Sequence, residues 1–332
     1  MHAACQRNTD MSALEIYPYK FTPIYIEKIW GGRSLERLFD RQLPPETPIG
    51  ESWELADLDV GTSVVSNGPL RGTDLTELTR QLGDKLLGGV KPLDNGRFPL
   101  LLKLLDANDI LSLQVHPDAK ASKEIPGAAL KTECWFVVDS RDGYIYKGLM
   151  PGVGAEQFRK GIESDAVENL VRRYDLAAGD FHYLPAGTVH AVGPGLVVAE
   201  VQTPSDTTYR VTDWGRGREI HVERSMQCIH FAPAEDASPG AQGDTLLVTE
   251  FFTVAHRSIE PNQTYSPAAG KCAAIMLLTG SDDIEFRHSG QTEPLTVASA
   301  GDTVLLPSDL CGATVQSCGA CSFLKITLPD GK

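Results

Sequence analysis

The chain has no excess of basic residues. Of its 332 residues, 30 are Lys or Arg and 44 are Asp or Glu, a formal charge of −14. A nucleic-acid backbone requires a basic footprint, so nucleic acid is not an expected partner. A small phosphorylated metabolite needs only a local basic pocket and stays open. Long hydrophobic runs are also missing. No apolar stretch reaches the ~20 residues of a membrane span, and no charged-then-apolar signal opens the chain. Cysteines are few and odd in number. The seven, at 5, 134, 228, 272, 311, 318 and 321, fit reduced thiols and a cytoplasmic location better than a disulfide framework. Cys318-Gly-Ala-Cys321 has redox-motif spacing but falls in an apparent late strand without a second pair, so no redox or metal role is expected of it. Gly152-Val-Gly154 is too short for a dinucleotide loop.

What is present is mostly strand. Short β-branched or alternating runs at 62–66, 98–105, 110–116, 133–138, 196–202, 246–254, 273–279 and 303–306 are punctuated by Gly, Pro, Asn and Asp, the pattern of antiparallel sandwiches or barrels. Helical spacing is confined to 33–39, 73–87, 154–163 and 165–174, and the last two read as a small insert capping the core (152–175). Residues 1–14 are polar and patternless, a loose tail. Residues 232–243 have linker composition. Beyond them Ala300-Gly-Asp-Thr-Val-Leu-Leu-Pro307 repeats Ala178-Gly-Asp-Phe-His-Tyr-Leu-Pro185 at five of eight positions. The chain is therefore expected to be mainly β, with a catalytic domain over 15–231 and a related β-domain over 244–332.

The first domain carries the chemistry. Gln114 and His116 lie two apart in Leu-Ser-Leu-Gln-Val-His-Pro (111–117), so an extended strand points both to one face. With Glu133 and His190 they form a set suited to one divalent ion, zinc by preference, with water as an open ligand. At the repeat's offset His190 corresponds to Gly312, so the second domain should lack the site. Residues 98–116 read as a hairpin with loop 106–109, which would set Lys103 opposite Ser112 on the metal side. An ammonium and a hydroxyl there could hold a phosphate, and the alternative is a lysine snorkelling from a sheet edge. Lys131, Glu133, Trp135 and Val137 share a face, with Cys134 opposite. A second hairpin, centred on Pro194, would pair His190 with Val198 and put Glu200 and Gln202 on the site face. Glu200, among Val198, Ala199 and Val201, suits a general base, and the alternative is a salt-bridged strand residue. Arg210 supplies a permanent cation for an enediolate or phosphate unless it is an ordinary surface group.

Six pieces in order, Ile29-Trp-Gly-Gly32, Gly50-Glu-Ser-Trp-Glu54, Leu111-Ser-Leu-Gln-Val-His-Pro-Asp118, Lys131-Thr-Glu133, Leu184-Pro-Ala-Gly-Thr-Val-His-Ala191 and Glu200-Val-Gln-Thr-Pro-Ser-Asp-Thr-Thr-Tyr-Arg210, resemble the type I mannose-6-phosphate isomerases in their short bacterial form. The resemblance runs from about residue 17 to about 225. It implies a cupin (jelly-roll) fold and one bound zinc on Gln114, His116, Glu133 and His190. It further implies interconversion of mannose 6-phosphate and fructose 6-phosphate through a cis-enediol. The catalytic residues it implies are Arg210, Glu200 and Lys131, with Ser112 and Lys103 on the phosphate. Thr132 stands where many members have Pro. Two rivals make different claims. A cupin oxygenase would normally carry a compact His-x-His with its Glu a few residues on, whereas here Gln114 takes the first place and Glu133 follows His116 by 17 positions. A non-catalytic sugar-binding double cupin would be expected to lack ligands or Arg210.

Overall fold

The computed structural model describes residues 16–232, 238–267, 270–280, 283–288 and 293–329. The expected tail lies outside these residues, as does part of the expected linker. The fold is two jelly rolls, as expected. In the first, a six-stranded antiparallel sheet runs in the order Phe181–Leu184, Glu133–Ser140, Leu196–Gln202, Leu101–Ala107, Ile24–Gly32, Ile49–Leu55. It faces a five-stranded sheet ordered Val171–Asp175, Tyr144–Leu149, His190–Val192, Leu113–Val115, Tyr209–Thr212. The second half repeats the plan with a six-stranded and a four-stranded sheet. Tyr19–Lys20 pairs with Thr303–Leu306, so the first described strand belongs to the sheet of the C-terminal half.

The two six-stranded sheets are back to back. Leu102, Leu104, Cys134, Phe136, Val197, Ala199 and Val201 share one buried cluster with Val254, Ala274, Met276, Leu305, Leu324 and Ile326. The opposite face of the first sheet points into its own jelly roll, where Trp135, Val137, Leu105 and Val198 pack together. A sheet buried on both faces reads as near-continuous apolar sequence, as in Leu101-Leu-Lys-Leu-Leu105 and Val197-Val-Ala-Glu-Val201. The charged residues that interrupt those runs point inward.

Neither expected hairpin forms. Leu101–Ala107 and Leu113–Val115 lie in facing sheets, as do His190–Val192 and Leu196–Gln202. The chain crosses between sheets at 108–112, where the Asn108 and Asp109 amides donate to the Trp30 carbonyl at 2.9 and 3.1 Å. It crosses again at Gly193-Pro-Gly195, where the Gly195 amide donates to Ala107 at 2.8 Å. Two adjacent apolar runs with a polar turn fit a hairpin and a sheet-to-sheet corner equally well, so local sequence does not separate them. The helix expected over 165–174 is also absent. Val167–Leu170 is a single 3-10 turn and Val171–Asp175 an edge strand, a β-branched start and alternating exposure overriding the helical spacing. Elsewhere helices form at Ser34–Phe39, Leu75–Leu82, Asp84–Leu87 and Ala155–Glu163, with Gly83 splitting the run expected over 73–87.

The repeat is structural. The Gly179 amide donates to Val137 and the Gly301 amide to Leu277, each at 2.8 Å. Asp180 accepts from the Ala177 amide at 2.8 Å and Asp302 from the Ser299 amide at 3.0 Å. Both glycines have positive φ, 95° and 89°. A side chain at 179 would meet open space, whereas one at 301 would lie 2.6 Å from Phe39 Cγ. Gly179→Ala should therefore cost only backbone strain, about 1–2 kcal/mol. Gly301→Ala should add overpacking of about 1–3 kcal/mol. Urea midpoints of the two variants check the order.

Candidate active site

Three of the four expected metal ligands converge. His116, Glu133 and His190 offer one atom each within 4.8 Å of one another, and all three are buried. Glu133 comes from the six-stranded sheet. His190 opens a strand of the facing sheet, and His116 follows one. The imidazole Nδ1 atoms are committed: that of His116 is 2.9 Å from the Thr207 carbonyl and that of His190 2.8 Å from the Thr188 carbonyl. Both Nδ1 atoms are thus donors to backbone carbonyls, which turns each Nε2 toward the centre of the cluster, the arrangement a metal requires. Those Nε2 atoms lie 3.4 and 3.2 Å from the two Glu133 oxygens. His116 Nε2 and Glu133 Oε1 are buried without a hydrogen-bond partner among the described residues, and Glu133 Oε2 meets the Lys131 ammonium at 3.0 Å. Buried orphan acceptors are costly, and a divalent cation among them would satisfy both at once. The donor set of two imidazoles and a carboxylate fits zinc.

The electrostatics agree. Burial, with the Lys131 ammonium nearby, pushes His116 down to about 3, so its ring is neutral. Burial alone would raise the Glu133 carboxyl, but Lys131, with its Nζ 3.0 Å away, holds it well below the usual carboxylate range. Gln114 is registered opposite both His190 and Arg210. Its Nε2 lies 3.3 Å from His190 Nε2, and its Oε1 3.4 Å from Ser112 Oγ. The alternation expected for Ser112, Gln114 and His116 holds, with Leu113 and Val115 in the core behind them.

A cavity of about 230 Å³ opens beside this cluster, and Lys103, Ser112, Gln114, Lys131, Glu200 and Arg210 all line it. Lys103 and Ser112 reach it from facing sheets rather than across a hairpin. Glu200 is registered opposite both Lys103 and Trp135. It is a salt-bridged strand residue: its Oε1 is 3.1 Å from Lys103 Nζ, and Trp135 Nε1 donates to Oε2 at 2.9 Å. Arg210 is no ordinary surface group. It lines the cavity, its Nη1 donates to the Glu219 carbonyl, and burial with Arg218 nearby lowers its pKa.

Sequence reading assigned no role to Glu51, Trp53, Lys28, Trp30 or Arg218, which also line the cavity. Glu51 and Trp53 alternate inward on Ile49–Leu55, within a motif that carried the resemblance, so a period-2 signal was there to find. Lys28 Nζ is 3.0 Å from Glu51, and Lys103 Nζ is 3.6 Å from it. The tight Gln202 loop was also missed. The Gln202 amide donates to the Thr203 and Ser205 carbonyls at 2.8 and 2.7 Å, fixing the segment whose Thr207 carbonyl orients His116. The other histidines of the described residues lie outside the cluster. His230, for example, bonds Asp118 at 2.8 Å.

A His, Glu and His cluster able to hold a metal, set within a jelly roll, marks the cupin class. The family model for the catalytic domain of type I phosphomannose isomerase matches residues 19–137. A mannose-6-phosphate isomerase of Streptococcus mutans is 38% identical over 240 residues, 69% of this chain and 74% of that one. A probable mannose-6-phosphate isomerase of Bacillus subtilis, GmuF, is 33% identical over 325 residues, 93% of this chain and 98% of the other. The crystal structure of a Bacillus subtilis mannose 6-phosphate isomerase superposes with TM-score 0.81 at 30% identity, covering 93% of this chain and 99% of that one. A zinc-bound mannose 6-phosphate isomerase structure, 16% identical over 94% of this chain and 99% of its own with TM-score 0.76, shares the fold. The chain belongs to the type I phosphomannose isomerases, and is an isomerase.

Burial would raise the Glu51 carboxyl, but Lys103 and Lys28 outweigh it and push it down to about 2. A depressed carboxyl contributes stability above its unfolded value, which is lost as pH falls through the folded one. Glu51→Gln should therefore be less stable than the parent at neutral pH. It should also lose less stability between pH 4.5 and 2, by up to about 3 kcal/mol at about 1.4 kcal/mol per pH unit. Urea midpoints across that range check it.

Proposed function

We propose that the protein is a zinc-dependent isomerase interconverting mannose 6-phosphate and fructose 6-phosphate through a cis-enediol. The observation that carries this reading is the convergence of the buried His116, Glu133 and His190 beside a cavity that Gln114, Glu200, Lys131 and Arg210 line. His116, Glu133 and His190 hold one zinc per chain, and Gln114 is the fourth ligand once its amide turns the oxygen that here accepts from Ser112 toward them. Bound there, the ion would polarise the sugar oxygens. A zinc-bound structure of a distant relative with the same fold supports the choice of metal.

The rest is the work of this chain's side chains. Glu200 and Lys131 carry the proton between C1 and C2, with Glu200 held in place by Trp135 and Lys103. Arg210 stabilises the enediolate with a fixed charge and a fork of donors. Ser112 and Lys103 flank the phosphate. The substrate is thus a small sugar phosphate, and the acidic chain has no nucleic-acid partner. Six free cysteines among the described residues support a cytoplasmic location, and no described helix is long and apolar enough to cross a membrane. The catalytic unit corresponds to 15–231 and the metal-free one to 244–332, with the linker between them at 232–243.

Two variants test the division of labour. Arg210→Ala should keep the zinc and the circular dichroism of the parent, yet lose turnover roughly a hundredfold or more, the scale for removing a charge-stabilising donor. Arg210→Lys should recover little of it. Glu133→Ala should lose zinc and turnover together. Near-normal ketose formation by zinc-replete Arg210→Ala would remove Arg210 from the mechanism.

A further inference from the structure

The cavity's ionic groups divide into two walls of different character. On one, three lysines meet three carboxylates: Lys28 and Glu51 at 3.0 Å, Lys103 and Glu200 at 3.1 Å, Lys131 and Glu133 at 3.0 Å. That wall is neutral within itself, and its lysines are already engaged. On the other, Arg210, Arg216 and Arg218 stand around a single buried carboxylate, Asp213, which is 3% exposed. Arg218 Nε donates to Asp213 Oδ2 at 2.9 Å, its Nη2 donates to Oδ1, and its backbone amide lies 3.3 Å from Oδ2. Arg216 Nη2 takes Asp213 Oδ1 at 3.0 Å. Its Nη1 goes to the Ile110 carbonyl at 2.6 Å and to Asp109 at 3.4 Å. Arg216 does not line the cavity; Arg218 and Arg210 do, with Asp206 and Thr208 beside them. Arg218 Nη1 makes no hydrogen bond among the described residues, so one face of a fixed guanidinium is free toward the cavity.

We infer that Arg218 is a further substrate-contacting residue, which takes the phosphate together with Ser112 and Lys103 and sets the preference for phosphorylated over free sugar, an inference that rests on the isomerase reading and deepens it. Its place along the cavity supports this. Leu113 is paired with Thr212, so Ser112 stands beside Asp213, and Arg218 is held at that end. Ser112 and His116 are four strand residues apart, roughly 13 Å. A sugar can therefore bridge from the metal cluster to Arg218 with its phosphate over Ser112. A chain of net charge −14 repels a dianion, and a local surplus of guanidinium reverses that field where the phosphate must sit. A guanidinium locked by a carboxylate on one edge presents its other edge without further ordering, which suits oxyanion recognition.

The test uses the zinc-loaded, full-length protein with mannose 6-phosphate and with free mannose. In Arg218→Gln, where Arg216 still pairs Asp213, KM for the phosphorylated sugar should rise far more than kcat falls. The ratio of efficiencies on mannose 6-phosphate and mannose should drop roughly ten- to a hundredfold, the range for one charge-assisted hydrogen bond. Arg218→Lys should fall between the two. Arg216→Ala disturbs the same Asp213 from outside the cavity and should leave the ratio near that of the parent. An unchanged ratio in Arg218→Gln, or an equal drop in Arg216→Ala, would overturn the inference. Calorimetric binding of both sugars reads the same preference without turnover. A parent protein that binds but does not isomerise would therefore sink the isomerase reading alone.

Discussion

The site depends on a carboxylate that has no water. Glu133 is fully buried, and an ionised group in that position costs several kcal/mol unless it is compensated. The compensation comes from Lys131, just before the same strand, whose ammonium lies 3.0 Å from Glu133, and two imidazoles close the site from the facing side. Each imidazole is turned toward Glu133 because its far nitrogen is held by a backbone carbonyl. Those carbonyls belong to Thr188 and Thr207, which explains why the loops before His190 and Arg210 are tightly built. A cation at the centre would tie the two sheets of the jelly roll together at their open end.

The same logic sets the identity of the inner wall. The six-stranded sheet is covered on its outer face by the second jelly roll, so its central strands present Leu102, Leu104, Cys134, Phe136, Val197, Ala199 and Val201 there, and the outward Glu54 is paired with Arg41. The inward positions next to the metal cluster are then free to be charged, and each charge meets an opposite one. Lys103 between Glu51 and Glu200 is the clearest case: burial would lower its pKa, but the two carboxylates raise it.

Much of this was legible in the sequence, and the reason is parity. Strand alternation correctly placed Ser112, Gln114 and His116 on one face, and Lys131, Glu133 and Trp135 on one face with Cys134 behind. It also put Glu200 and Gln202 inward. Alternation depends only on the pleat, so it survives an error in strand pairing. Pairing itself was misread twice, since the runs before and after 106–109 and 193–195 join partners in other sheets that lie far away in sequence. The Asp213–Arg218 pair was invisible for a related reason: its importance lies in which edge of the guanidinium stays free. In the second half, Leu306 is paired with Ala273 as Leu184 is with Glu133. Ala273 thus holds the place of the carboxylate ligand, beside the Gly312 that replaces His190, and the twin keeps the sheet frame and the tight turn while lacking both ligands.

The central claim is that one ion, held by His116, Glu133 and His190, is required for sugar isomerisation. The direct measurement is a titration of zinc into chelator-stripped protein, following ketose formed from mannose 6-phosphate against bound metal. The account predicts negligible activity without metal and a linear rise that ends at one zinc per chain. Full activity in the stripped protein, or a rise continuing to two, would contradict it.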